Sequence, residues 1–208
     1  MQYLLTHDAQ RVPWNKGRVT GQKPPPKRNE IWAIRVHLQL QGRVRDLALF
    51  NLAIDSKLRA CDLVRLRVRD VTQANQAASR AMILQRKTGR PVQFEITEQS
   101  KSAICALIGS KNLEPSHYLF GSRKNPAVHL STRQYAKLLK DWVADVGLDP
   151  KSYGTHSLRR TKATLIYRRT KNLRAVQLLL GHSKIESTVR YLGIELDDAL
   201  EIAEQTEI

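Results

Sequence analysis

The sequence predicts a mainly helical domain that carries one small antiparallel β-sheet, an α+β fold. Three observations predict it. Apolar residues recur at helical spacing, from Ile31, Ile34 and Leu38 near the start to the run Leu173 to Leu180 near the end. Two short runs, Arg80 to Gln85 and Pro91 to Ile96, read as strands flanking the tight turn Lys87-Thr88-Gly89-Arg90. Helix punctuation stands where the periodicity stops or starts. Gly42 and Gly181 end helical runs, and Ser131 with Gln134 and Ser183 with Glu186 have capping-box spacing.

Taken in order, residues 1–28 read as an arm rather than a packed unit. They carry Arg11, Lys16, Arg18, Lys23, Lys27 and Arg28, and Pro24-Pro25-Pro26 favours an extended segment. Contact with DNA phosphates and a solvated basic tail are equally open readings of it. From Asn29 the pattern is helical until Gly42. A second helix is expected over residues 43–55, with Leu47, Phe50 and Ile54 inward. Arg59 follows at a break, and a short third helix holds Leu63 and Leu66. The hairpin comes next. Helices are then expected over residues 98–109 and 131–146, from Thr155 to Arg169, and from Leu173 to Leu180. The helix capped by Ser183 carries Tyr191, and Leu196 to Glu204 reads as a last amphipathic helix with an acidic face. There is no internal repeat and no sign of a second domain.

Composition narrows the function. Hydrophobic residues make up 41% of the 208, so most of the chain should fold around a core. Thirty-five Lys and Arg stand against 19 Asp and Glu, a formal net charge of +16. A charge this large repels itself in a compact state unless an acidic partner neutralises it, and nucleic acid is the partner that rewards clustered cations. A ribosomal-type or merely basic protein would show the same balance. No apolar run reaches membrane-spanning length, and the N-terminus lacks a signal peptide pattern. Cys61 and Cys105 are the only cysteines. Their spacing suits neither a metal site nor a disulfide framework, which points to a reducing compartment and to two buried thiols. The carboxylates Asp62, Asp70 and Asp141 are scattered, so no metal and no cofactor is expected.

The residues that carry chemistry are Arg59, then His156 and Arg159 in His156-Ser157-Leu158-Arg159, then His182 in Leu180-Gly181-His182, and Tyr191. Transesterification of a phosphodiester needs a nucleophile, a clamp for the charge that builds on phosphate, a base, and an acid for the leaving oxygen. Arginine suits the clamp because its planar fork binds phosphate bidentately and keeps its charge. His156 and Arg159 are three residues apart and share one helix face, while Leu158, Leu165 and Ile166 can anchor another. His182 lies at a junction between two helices, where backbone groups are open to a ligand. A phenolate is a better leaving group than an alkoxide, so a tyrosyl phosphoester keeps the energy for religation without ATP. Each residue alone has a bland reading: a solvated His-x-x-Arg face, a capping histidine, a half-buried helix tyrosine.

In order and spacing the set resembles the signature of the tyrosine recombinases, the phage integrase family. The resemblance covers residues 29–195 and runs from Leu58-Arg59-Ala60-Cys61-Asp62-Leu63 through the lysine-bearing hairpin to Tyr191. It implies a tyrosine recombinase catalytic domain over residues 29–208. Tyr191 would attack and form a 3′-phosphotyrosyl link. Arg59 and Arg159 would clamp the phosphate, and His156 would act as base or proton shuttle. His182 would hydrogen-bond the phosphate, and Lys87 would be the general acid at the 5′-oxygen. Arg86 and Arg90 are alternatives to Lys87, and Arg160 is an alternative to Arg159.

The resemblance further implies double-stranded DNA as substrate, a homo-tetramer on DNA, accessory DNA-bending proteins, no membrane, and a cytoplasmic, nucleoid-associated location. Most family members carry an N-terminal core-binding domain. It is read as absent here, as in the short Fim-type invertases. Residues 196–208 would dock on a neighbouring protomer or fold back on their own domain. Site-specific recombination, by integration, excision or inversion, is therefore the expected function. Type IB topoisomerase-like relaxation and a catalytically silent DNA-binding regulator are the alternatives. The presence of both histidines favours the recombinase over the topoisomerase, and Tyr191 favours it over the regulator.

Overall fold

The computed structural model describes residues 22–74, 76–194 and 204. Two helices open the domain, α1 (Arg28–Leu40) and α2 (Val44–Ser56). The Lys27 backbone N–H donates to the Glu30 carboxylate at 2.7 Å and so satisfies one free donor at the start of α1. Ile31, Ile34 and Leu38 of α1 face the core, as their spacing predicts. From Ala48 to Ser56 every residue of α2 is buried, which makes it the central strut of the molecule. Phe50 meets Trp142 edge-on at 5.8 Å, and the Trp142 indole N–H donates to Asp46 at 3.3 Å.

Two short helices follow, α3 (Ala60–Leu63) and α4 (Val68–Val71). Leu66 lies beyond the end of α3 rather than within it, and is still buried. A two-residue pair, β1 (Thr72–Gln73) and β2 (Gln76–Ala77), precedes the main hairpin of β3 (Arg80–Leu84) and β4 (Pro91–Glu95). The hairpin is antiparallel, from Arg80 opposite Glu95 to Leu84 opposite Pro91. Its inner face puts Ala81, Val92 and Phe94 into the core. The sequence signalled neither α4 nor the first strand pair, because four- and two-residue elements are too short to show a period.

Further along, the described residues form α5 (Glu98–Lys111), α6 (Thr132–Asp145), α7 (Thr155–Thr170), α8 (Leu173–Leu180) and α9 (Ile185–Leu192). Ser131 and Gln134 form the expected capping box at α6, with reciprocal bonds of 3.1 and 3.2 Å. Ser183 and Glu186 do not form one. Lys184 is still extended and caps α9, so Glu186 falls one position too early to reach back. The cysteines also depart from expectation: Cys61 is half-buried and Cys105 is exposed. The inward face of α5 is Ser100, Ala103, Ile104 and Leu107, and Cys105 is one step off it.

The main core runs from α1 to Leu158 at the head of α7. A second, smaller cluster of Ala163, Val176 and Leu180 joins α7 to α8, with Tyr191 and Leu192 of α9 packed on it. Of the expected arm, residues 22–27 lie against the domain: Pro26 is buried, and the Gln22 side-chain amide donates to the Arg190 carbonyl at 2.7 Å. The expected helix from Leu196 to Glu204 lies outside the described residues except for Glu204. Among the described residues no helix is long and apolar enough to cross a membrane.

Candidate active site

Four segments converge on one place. The bend after α2 carries Arg59, the head of α7 carries His156 and Arg159, the α8–α9 junction carries His182, and α9 carries Tyr191. Arg159 is 3% exposed, and its fork is held by two carbonyls. Its Nε donates to Lys57 O at 2.7 Å and its Nη2 to Leu180 O at 3.0 Å. Its guanidinium carbon stands 5.4 Å from the Tyr191 ring centre, and that of Arg160 stands 5.1 Å from it. The His182 ring meets the Tyr191 ring edge-on at 5.4 Å. His182 Nδ1 lies 3.1 Å from the Thr188 hydroxyl, so Nε2 is the nitrogen left to face a ligand. His156 is exposed at the opening, one helical turn before Arg159.

Lys87 is on the exposed turn of the hairpin, between Arg86 and Arg90, which are exposed as well. It is close enough for its charge to bear on His156. Arg159 and Arg160 both approach Tyr191, but they are tethered differently. Arg160 donates to Lys23 O at 2.9 Å, on the side of the N-terminal segment, whereas the Arg159 charge is close enough to bear on His182 and to feel that of Arg59.

The electrostatics follow from crowding cations in a partly dry site. His182 is pushed down to about 4, first by burial and then by the Arg159 and Arg59 guanidiniums. Burial, Arg159, Arg160, Arg59 and Lys87 lower His156 in the same way. Both imidazoles are therefore neutral near pH 7 and able to accept a proton. Burial raises the Tyr191 hydroxyl above the ordinary phenol range, while Arg159, Arg160 and Arg59 pull against it. The Tyr191 hydroxyl and Arg160 Nε are buried with no hydrogen-bond partner among the described residues. Clustered guanidiniums, two neutral imidazoles and a phenol form a site shaped for a phosphate anion. Among the described residues no three His, Cys, Asp or Glu side chains are grouped to hold a metal ion.

The sequence did not single out several residues that build this place. Gln85, 1% exposed, accepts from Arg59 Nη1 at 2.6 Å and from Thr88 Oγ1 at 3.0 Å, and its amide donates to Leu180 O at 3.3 Å. Asp62 accepts from the Arg86 backbone N–H at 3.0 Å and so ties the hairpin turn to α3. Thr188 orients His182. A glutamine at a strand end and a threonine in a helix carry no sequence signal that separates them from solvated residues.

Comparison with known proteins supplies the family and the fold. The phage integrase family matches residues 28–195. The probable integrase/recombinase YoeC of Bacillus subtilis (strain 168) is 33% identical over 158 residues, covering 76% of this chain and 82% of YoeC. The tyrosine recombinase XerC of Erythrobacter litoralis (strain HTCC2594) is 30% identical over 152 residues, covering 73% of this chain. Only 47% of XerC is covered, so the chain spans about half the length of that relative. Among solved structures, the XerA recombinase shares the fold with a TM-score of 0.72 at 20% identity, over 89% of this chain and 66% of XerA. A match across nearly all the described domain, on a fold that gathers arginines, histidines and a tyrosine from separate segments, places the chain in the phage integrase family.

Proposed function

We propose that the protein is a site-specific DNA recombinase that cleaves and rejoins DNA through a 3′-phosphotyrosyl intermediate. One observation carries the reading most directly: the Tyr191 ring sits against the Arg159 and Arg160 guanidiniums and edge-on to His182. A scissile phosphate bound between Arg59, Arg159 and His182 would lie beside that phenol. Tyr191 Oη attacks phosphorus, and its proton passes to neutral His156. The phosphorus–O5′ bond breaks as the tyrosyl ester forms, and Lys87 protonates the leaving 5′-oxygen. The phosphate charge is held by Arg59 and Arg159, whose donors are fixed before substrate arrives. Religation is the same step reversed with a different 5′-hydroxyl, so energy is conserved in the ester.

Residues 29–208 would form the catalytic domain, and residues 1–28 would add phosphate contacts. Four copies would assemble on two duplexes with accessory DNA-bending proteins, in the cytoplasm at the nucleoid.

Covalent trapping tests the reading. Wild-type protein and Tyr191→Phe are incubated with fragmented genomic DNA and quenched in detergent, and protein-linked DNA is sequenced. Wild-type-only recovery at a few inverted-repeat sites is expected. Recovery at many unrelated sites would replace the reading with a topoisomerase. Tight binding with no covalent product would replace it with a regulator. Adducts formed by Tyr191→Phe would overturn the choice of nucleophile.

A further inference from the structure

We propose that Lys57 is a positioning residue for Arg159, acting through a left-handed turn that a buried ion pair holds in place. The proposal rests on the recombinase reading above. Lys57 combines two features that each cost free energy. Its backbone has φ 54° and ψ 23°, a conformation that side chains other than glycine adopt rarely. Its side chain is fully enclosed, and an enclosed ammonium needs close partners. Glycine would make this turn without strain, and leucine would fill this interior without charge.

The partners account for the lysine. Its Nζ donates to both Glu95 carboxylate oxygens at 2.9 Å and to Asp55 O at 2.6 Å. Lys162 of α7 shares the Glu95 carboxylate, reaching Oε1 at 2.7 Å, and also pairs with the Asp55 carboxylate, reaching Oδ1 at 2.8 Å. The other Asp55 oxygen accepts from Thr97 N, Thr97 Oγ1 and Ser100 Oγ at 3.0, 2.6 and 2.6 Å. Two acids and two lysines thus bind together the end of α2, strand β4 and helix α7. Those three segments lead to Arg59, to the Lys87 turn, and to His156 and Arg159.

The backbone of Lys57 then does what its side chain secures. Its carbonyl accepts from Arg159 Nε at 2.7 Å, and Leu180 O takes Nη2. These two acceptors fix the plane of the buried guanidinium. A residue at position 57 that relaxed out of the left-handed region would rotate this peptide and remove one of them. Strain kept at a site by surrounding contacts is the pattern expected of a preorganised group. Arg59 is two residues further on, so the same turn sets its approach.

The test separates positioning from simple support. Single-turnover covalent cleavage is measured on a nicked duplex carrying the site recovered by trapping, alongside DNA affinity and thermal unfolding. Lys57→Met removes the charge and resists positive φ; it is expected to slow cleavage by about ten- to a hundredfold with little change in affinity. Lys57→Gly keeps the turn and its carbonyl, and is expected to stay within about threefold of wild type. Glu95→Gln strands the Lys57 charge and should slow cleavage. Adding Lys57→Gly to Glu95→Gln should restore the rate even where the melting temperature stays low. A merely structural role would lower stability in every variant and leave that rescue absent.

Wild-type rates for Lys57→Met and for Glu95→Gln would overturn the proposal, as would a Lys57→Gly variant slowed as much as Lys57→Met. If Lys57→Met does not fold, Glu95→Gln and its double variant decide the matter. Absence of any adduct with wild-type protein overturns the recombinase reading itself, and this proposal with it.

Discussion

The side chain of Gln85 touches three parts of the site at once: Arg59, the Lys87 turn through Thr88, and the carbonyl at the end of α8. Its amide offers both an acceptor and a donor, and no charged or apolar residue of that size offers both. Replacing it with leucine keeps the volume and leaves the Arg59 fork without that acceptor. Gln85→Leu is expected to slow covalent cleavage by about ten- to a hundredfold while the protein stays folded. Single-turnover cleavage checks this, and a wild-type rate would show that Arg59 does not depend on Gln85. Five of the six candidates, Arg59, His156, Arg159, His182 and Tyr191, were legible because each type has a chemistry suited to phosphate, whereas Lys87 came from the family resemblance. Gln85 was not, because its role consists only of whom it touches, and those partners are 26 and 95 residues away along the chain.

At the scale of elements, the junction between α8 and α9 decides where His182 and Tyr191 stand. Gly181 ends α8 at φ +65°, and the His182 N–H returns to Gln177 O at 3.1 Å. A Cβ on Gly181 would overlap Val92 Cγ2 and come within 3.2 Å of the Gln85 side-chain amide. Two separate needs, positive φ and close approach to the hairpin, therefore fall on one residue. Gly181→Ala should cost about 1–2 kcal/mol from the backbone alone, with the overlap added, and should displace His182 relative to Arg59 and Arg159. A lowered melting temperature together with a reduced cleavage rate is expected. An unchanged melting temperature would mean that the α8–α9 pair shifts freely to make room. That pair rests on a small cluster rather than on the main core, so Tyr191 sits on one of the less anchored parts of the domain. The glycine stop was visible in the sequence, and the hairpin pressed against it was not.

Across the whole molecule, the formal charge of +16 coexists with a few partly or fully buried titratable groups whose protonation tracks folding. His182 takes up a proton near pH 4 in the folded chain, against about 6.5 when unfolded. Between those values the unfolded state binds the proton and the folded state does not, so stability falls as the pH drops through that window. His156 is lowered too and acts in the same direction. Asp55 and Glu95 continue the loss at lower pH. Burial alone would raise both, but hydrogen bonds from Lys162, Ser100 and Thr97 hold Asp55 below the usual carboxylate range, and Lys57 and Lys162 hold Glu95 below it. Melting temperature is therefore expected to decline from about pH 6.5 downward and steeply below about pH 4. His182→Gln should flatten the upper part of that decline, and an unchanged slope there would show that His182 is not shifted in the folded state.

The sequence by itself determined the α+β class, the main hairpin and most helix boundaries, and it offered six candidate residues. The elements follow from local rules, apolar period and the conformational freedom of glycine; the candidates follow from the match of arginine, histidine and tyrosine to phosphate chemistry and, for Lys87, from the family resemblance. The tertiary structure alone decided which carbonyls hold Arg159, why Lys57 tolerates a left-handed turn, that Gln85 joins Arg59 to α8, and that Ser183 does not cap α9. Each of those is a contact between segments far apart in the chain or a backbone torsion that such contacts impose, and neither leaves a period or a composition in the sequence.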